Sequence, residues 1–312
     1  MSFAIDTQCL LCHLRRNLEV VKPLGTEEQA MAFAKDMMRL YLEAPEGVAS
    51  PWFNPQTSDL MLKHYGLPID RMKEEKELSN RFVMERLDLI RQKVESAADP
   101  VFAGLQFSIL GNYLDFAALQ GQVSFEKLEA MLDKAFDMDL DKEAYAALCA
   151  DLEAGKKLLF LTDYAGEIGF DRIFAEEIAK KYPHLEITFC VRGEIIINDA
   201  TRADAEAVGI PFPVIDNGNR VPGTQIDMLG KEAQEALNAA DVILAKGMAN
   251  CETMFGCGYN VYYAILVKCQ RFVDRFQRKM LTPMLVKRPI LVPDDGKVLT
   301  GFKEADWEYA LR

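Results

Sequence analysis

From residue 157 onward, short apolar runs of strand length alternate with helical patterns, and polar segments follow several of these runs. Lys157-Leu-Leu-Phe-Leu-Thr162 is the first run, followed by a helical pattern through Ile173, Phe174 and Ile178 that ends before Pro183. Residues 185–191 form the second run, 212–215 the third and 241–245 the fourth, the last after a helix at about 229–240. Pro289-Ile-Leu-Val292 reads as a further strand, after a long helix at about 258–280. Strands alternating with helices build βαβ units around a parallel sheet.

The first half reads differently. Thr26-x-x-Gln29 is a capping box, followed by Ala30, Ala34, Met37 and Tyr41 at helical spacing. A segment with Pro and Gly interrupts at 46–55. Residues 70–96 predict an amphipathic helix, with Leu78, Phe82, Leu89 and Ile90 among charges. Leu128, Leu132, Ala135 and Phe136 mark another helix after Ser124. No run in this half alternates as a strand does. The expected organisation is a helical domain over 1–151 and an α/β domain over 152–312.

The chain has 312 residues, enough for two domains, and is 50% hydrophobic and 27% charged. Lys and Arg total 36 against 48 Asp and Glu, a net charge of −12. Such acidity argues against nucleic acid as a partner, since phosphate backbones need basic surfaces, yet it permits a local cationic pocket. The longest charge-free stretches, 100–114 and 253–267, are 15 residues each. Both are shorter than the roughly 18–20 residues that span a bilayer. Asp6, Arg15, Arg16 and Glu19 interrupt the place where a signal peptide would be apolar. The expectation is a soluble, cytoplasmic protein with no membrane partner.

In open α/β sheets, ligands bind at the carboxyl ends of the strands. Three polar segments fall there: Asp163-Tyr-Ala-Gly-Glu167, Arg192-Gly193 with Asn198-Asp-Ala-Thr201, and Lys246-Gly-Met-Ala-Asn-Cys-Glu252. Together they offer carboxylates, amides, a lysine and an arginine, a mixture suited to a hard divalent cation plus a phosphate group.

Each residue also has a structural alternative. Asp163 opens a helix and could be its N-cap. Glu167, one turn on, is either a general base or a solvated first-turn glutamate. Asn198, Asp199 and Thr201 suit a loop and cap as well as a ligand set. Arg192 could hold phosphate or pair with Glu194 or another acidic side chain. Lys246 ends a strand ahead of a helix start and is placed for a phosphate oxygen. Gly247 lets the backbone approach it. Asn250 and Glu252 could orient substrate, or Glu252 could form a salt bridge. Asn112 and Asp115 share a helix face and could reach the cleft. Cys9-x-x-Cys12 lacks the four ligands of a zinc site and reads as two half-buried thiols. Cys251 has no base in sequence that would make it a nucleophile.

These segments resemble the damage-control phosphatase family, also known as domain of unknown function 89. Cys9-Leu-Leu-Cys12 with Arg16 is similar to the start of its small prokaryotic branch, and Gly111-Asn112-Tyr-Leu-Asp115-Phe to its Gly-Asn-x-x-Asp segment. Arg192-Gly193 with Asn198-Asp199-Ala-Thr201, then Lys246-Gly247 with Asn250 and Glu252, follow in the family's order. The resemblance implies a Rossmann-like α/β/α domain preceded by an all-helical one. It implies a metal-dependent phosphatase acting on small phosphorylated metabolites such as sugar phosphates or damaged intermediates, with Mn²⁺, Co²⁺, Ni²⁺ or Mg²⁺ as cofactor. It implies Asp163 and Asp199 as metal ligands. Where the family has an Asn after the first Asp, this chain has Tyr164, so Asn198 or a water would complete the shell. On this reading Lys246, Arg192 and amides after Gly247 meet the phosphoryl group, and Asn112 and Asp115 help close the pocket.

Two other functions fit a Rossmann-like sheet. A carboxyl methyltransferase using S-adenosylmethionine would want a Gly-x-Gly-like first turn and an acid ending the second strand, where this chain has Asp163 and Arg192. A non-catalytic metabolite- or metal-binding protein would follow if Tyr164 cost the chain its metal.

Overall fold

A computed structural model describes residues 3–114, 132 and 134–287. Helices come first: α1 (Thr7–Val21), α2 (Glu27–Glu43), α3 (Phe53–Tyr65), α4 (Lys73–Met84), α5 (Leu87–Glu95) and α6 (Pro100–Gly111). Their starts follow capping chemistry. Asp6 accepts from the Cys9 amide to open α1, and Thr26 and Gln29 close a reciprocal capping box on α2. Asp99 caps α6, with Pro100 at its first position. The charge-free stretch at 100–114 thus contains a helix buried almost all round. The expected single helix over 70–96 is two, α4 and α5, broken at Glu85 and Arg86.

α7 (Lys142–Ala154) leads into β1 (Lys157–Leu161), then α8 (Glu167–Lys181), β2 (Glu186–Val191), α9 (Arg202–Ala207), β3 (Val214–Asp216), α10 (Lys231–Ala239) and β4 (Val242–Lys246). α11 (Gly247–Met254), β5 (Val261–Leu266), α12 (Gln270–Phe276) and β6 (Pro283–Lys287) complete the described chain. The strands form one sheet in the order β3-β2-β1-β4-β5-β6, parallel except for β6 against β5. β1 and β4 are neighbours in the middle, where the chain reverses its direction of growth, and this is where doubly wound sheets open a ligand crevice.

One sheet face packs on α6, α7 and α8 through Leu105, Leu148 and Phe174, the other on α10, α11 and α12 through Leu237, Met254 and Phe272. The layering is α/β/α. Among the described residues, no helix is long and apolar enough to cross a membrane.

The expected long helix over 258–280 is corrected by the structure. Residues 261–266 are a strand with all six side chains buried, and a helix follows only at Gln270–Phe276. A short, fully apolar run carries no periodicity to separate strand from helix, and Val, Tyr and Ile favour the strand. Tyr262 and Tyr263 are therefore packing residues of β5, not of a helix. The strand expected at 289–292 and the start of the helix after Ser124 lie outside the described residues, as does Asp115.

α6 and α8 run in close contact. A Cβ on Gly104 would sit 3.0 Å from the Phe174 main chain, and one on Gly111 would sit 2.8 Å from the Phe170 ring. These two glycines let α6 press against the helix that begins at Glu167, which delivers Asn112 to the end of β1.

Candidate active site

The site begins where β1 ends. Asp163 is 1% exposed. It does not cap α8, whose N-cap is Gly166 with no side-chain hydrogen bond. Instead its Oδ2 accepts from Asn112 Nδ2 at 2.9 Å, while its Oδ1 is buried with no partner among the described residues. The main chain around it is zipped to the segment after β2. Ala200 N donates to Asp163 O at 2.8 Å, Ala165 N donates to Asn198 O at 2.9 Å, and Tyr164 bridges Asp199. Asn198 is buried, and neither its side-chain oxygen nor its nitrogen has a partner among the described residues.

Burial pushes the Asp163 carboxyl well above its ordinary 3.8. The Glu167 carboxylate pushes the same way, and the Lys268 ammonium opposes it. A buried acid with an idle oxygen near an idle amide offers the donor chemistry that a cation takes.

Several residues sit elsewhere in this arrangement than the sequence suggested. Lys246 does not face the cavity. Its ammonium is fully buried, 2.6 Å from Glu167 Oε1 and 3.3 Å from Asp171 Oδ1, and donates to Ser108 O at 2.8 Å. Burial alone would lower its pKa, but the Asp171 and Glu167 carboxylates outweigh that and raise it. Burial raises Asp171 itself to about 7 despite the lysine. Glu167 is spent on protein as well, its Oε2 accepting from Asn112 Nδ2 at 2.8 Å. It is fully buried and not a solvated first-turn glutamate.

Arg192 is likewise turned inward. Nε donates to Asp199 Oδ2 at 3.0 Å, Nη2 to Thr162 O at 2.8 Å, and Nη1 to Gly223 O. Its ion pair is with Asp199, one of the other acidic side chains. Asn250 ties the ends of β1 and β4 together, donating to Thr162 O and Lys246 O and accepting from Thr224. Glu252 lies farther out, 3.7 Å from Arg271. Asp204 joins Lys76 at 2.8 Å and Asn80 at 2.9 Å. Gly247 has φ +75°, and a Cβ there would lie 1.7 Å from Asp163 Oδ2, so only glycine leaves room for that carboxylate.

Beside Asn198 and Asp199 opens a cavity of about 930 Å³, walled also by Tyr164, Met248 and Lys268. Lys268 had no place in the sequence reading. Its Nζ donates to Asn112 O at 3.0 Å and lies 4.5 Å from the centre of the Tyr164 ring. Lys268 follows β5, so the same strand-end logic that marked Lys246 applies to it once 261–266 is a strand.

The thiols of Cys9, Cys12 and Cys269 also border the cavity, and burial pushes Cys9 up to about 12 and Cys269 up to about 11. Thiols held up in this way, those of Cys9 and Cys269, are poor nucleophiles and poor metal ligands at neutral pH. Among the described residues, no group of three or more His, Cys, Asp or Glu is placed to hold a metal. The side chains of Asp163, Asp199 and Asn198 would offer oxygen donors alone, a chemistry that suits a hard cation which keeps several waters.

The family model described as the damage-control phosphatase ARMT1-like domain matches residues 5–281. The chain belongs to that family. Phosphatase is accordingly its enzyme class. Among its relatives, a damage-control phosphatase from Archaeoglobus fulgidus is 33% identical over 205 residues, covering 64% of this chain and 70% of that one. A protein of Methanocaldococcus jannaschii described as uncharacterised is 28% identical over 298 residues, covering 92% of this chain and 96% of its own. A crystal structure of a DUF89 family protein from Pyrococcus horikoshii matches with a TM-score of 0.77 at 24% identity, covering 91% of this chain and 99% of that one. That likeness establishes the Rossmann-like α/β fold with its helical complement.

Proposed function

We propose that this member of the damage-control phosphatase family hydrolyses phosphomonoesters of small metabolites with one divalent cation held by Asp163, Asn198 and Asp199. The observation that carries this reading is the pair of idle buried groups, Asp163 Oδ1 and the Asn198 amide, at the β1–β4 crevice. When bound there, a divalent cation supplies the charge that keeps both carboxylates ionised, polarises a phosphoryl oxygen and lowers the pKa of an attacking water.

The chain's own residues do the rest. Asn112 holds one oxygen of Asp163 and leaves the other, buried Oδ1, without a partner among the described residues. Arg192 fixes Asp199 by a buried ion pair. Lys268 takes the part first assigned to Lys246: its ammonium, at the cavity wall, offsets charge gathering on the phosphoryl oxygens. Lys246, Glu167 and Asp171 form a brace behind Asp163 and position it. Water attacks phosphorus, the ester P–O bond breaks, and the products are an alcohol and inorganic phosphate.

The division at 151/152 enters this reading as a helical part that supplies Asn112 and an α/β part, 152–312, that supplies the metal and phosphate groups. A cytoplasmic setting fits the seven cysteines, all of them free thiols. The test is phosphate release from a panel of sugar phosphates with Mn²⁺, Co²⁺, Ni²⁺ or Mg²⁺. Silence with every ester and every metal would reject the proposal.

A further inference from the structure

The cavity beside Asp199 is roomier than a sugar monophosphate requires. Its 930 Å³ lies near the top of the roughly 300–1,000 Å³ range of sites that bury drug-sized ligands. Its charge is also out of keeping with the chain. Five cations, Arg15, Arg16, Arg71, Lys268 and Arg271, line it against two carboxylates, Asp199 and Glu252, in a protein of net charge −12.

These cations are not equivalent. Arg271 is neutralised within the protein by Asp6 at 3.0 Å and Glu252 at 3.7 Å. Arg15 reaches Glu19 at the surface, 3.8 Å away. Lys268 stands over Tyr164, at the reacting end. Arg71, in the turn before α4, differs from all three. Its Nη1 is buried without a partner, and among the described residues its guanidinium makes no ion pair or hydrogen bond. Burial lowers its pKa, and no carboxylate acts against that. A half-buried guanidinium with one nitrogen buried and unpartnered becomes favourable when a planar anion meets its fork.

We infer that Arg71 marks a second anion subsite, so that the substrate carries another phosphate or a carboxylate besides the phosphoryl group that is hydrolysed. Arg16, on α1, lines the same cavity. The inference rests on the phosphatase reading only for what happens at the Asp163 end. The substrate class is then a bisphosphorylated metabolite or a phosphorylated acid, held at two ends.

Calorimetric titration of the full chain in chelator, where no turnover occurs, tests this with two matched pairs. Fructose 1,6-bisphosphate against fructose 6-phosphate asks for a second phosphate. 3-Phosphoglycerate against glycerol 3-phosphate asks for a carboxylate. In at least one pair the doubly anionic member should bind about tenfold tighter. Arg71→Gln should shrink that advantage to about twofold, and Arg71→Lys should keep part of it. Arg71→Met serves in place of Arg71→Gln if the latter melts early. Equal affinities within both pairs, no binding at all, or an advantage that survives Arg71→Gln would overturn the subsite. A preference for double anions without phosphate release from any ester would keep the subsite and remove the phosphatase reading. Release without any preference would do the reverse.

Discussion

The ammonium of Lys246 lies 2.6 Å from Glu167 Oε1, and neither side chain reaches solvent. With Asp171 3.3 Å away and Ser108 Oγ donating to that carboxylate at 2.6 Å, the lysine serves two acids at once. On the proposed reading it is a structural cation beneath the site.

Removing it should therefore cost stability before it costs chemistry. Lys246→Met leaves Glu167 and Asp171 buried together without their cation, a loss of about 3–5 kcal/mol for a broken buried pair. The expected result is a markedly lower melting temperature. A variant that melts like the parent but does not turn over would return Lys246 to the phosphate.

Lys268→Ala should do the opposite. Its loss should lower kcat/KM about 100-fold with little change in Mn²⁺ affinity, as expected for a group acting on transition-state charge. Lys268→Arg should recover part of the rate. Steady-state kinetics beside a metal titration separates the two effects.

Asp163 and Asp199 should part company in the metal-free protein. Asp163→Asn removes a carboxyl that burial already disfavours, so the metal-free chain should melt at an equal or higher temperature while Mn²⁺ binding falls by about 100-fold or more. Asp199→Asn should also weaken the metal, but it strips Arg192 of its buried counter-ion and should lower the melt. Both variants melting below the parent without metal would contradict the assignment of strain to Asp163.

Gly247→Ala should disable the site without touching a charge. The added methyl would collide with Asp163 Oδ2, and φ of +75° suits glycine. A cost of about 1–2 kcal/mol from the backbone alone is expected, together with loss of metal binding. Intact Mn²⁺ affinity in this variant, by titration, would show that Asp163 can move aside.

Glu252 supplies a pH signature. Burial raises its carboxyl from 4.5 to about 7 despite Arg271. The folded chain then holds a proton that the unfolded chain releases near 4.5. Its contribution to stability is full below about 4.5 and is lost as pH rises through about 7, on the order of 3 kcal/mol in all. Glu252→Gln should flatten that decline. Parallel slopes for variant and parent in denaturant titrations between pH 4.5 and pH 7.5 would refute it.

Much of this architecture could be read in the sequence because it is local. The run at 157–162, the turn at Asp163 and the capping box at Thr26 each announce themselves within a few residues. Partner choice does not. Lys246 and Ser108 are 138 residues apart, and nothing near either one says they meet. A lysine at a strand end looks the same whether it faces a ligand or a buried acid. Lys268 escaped for a different reason. The run 261–266 is apolar on both faces, so it lacked the alternation that would have revealed a strand and, with it, a residue at the carboxyl edge of the sheet.

The glycine-mediated contact of α6 with α8 limits how this enzyme can be taken apart. Helix α6 provides Ser108 O for Lys246, and Asn112 just beyond it reaches Asp163. A sheet half expressed alone would keep every acid named in the site and lose the amide and carbonyl that hold them in register. Grafting a different helical cap to change specificity would have to preserve a seam as narrow as Gly104 against Phe174. The recognition layer is thus not an interchangeable module, and divergence in substrate is steered toward its outer helices, α1 and the turn at Arg71, which line the cavity without bracing the catalytic floor.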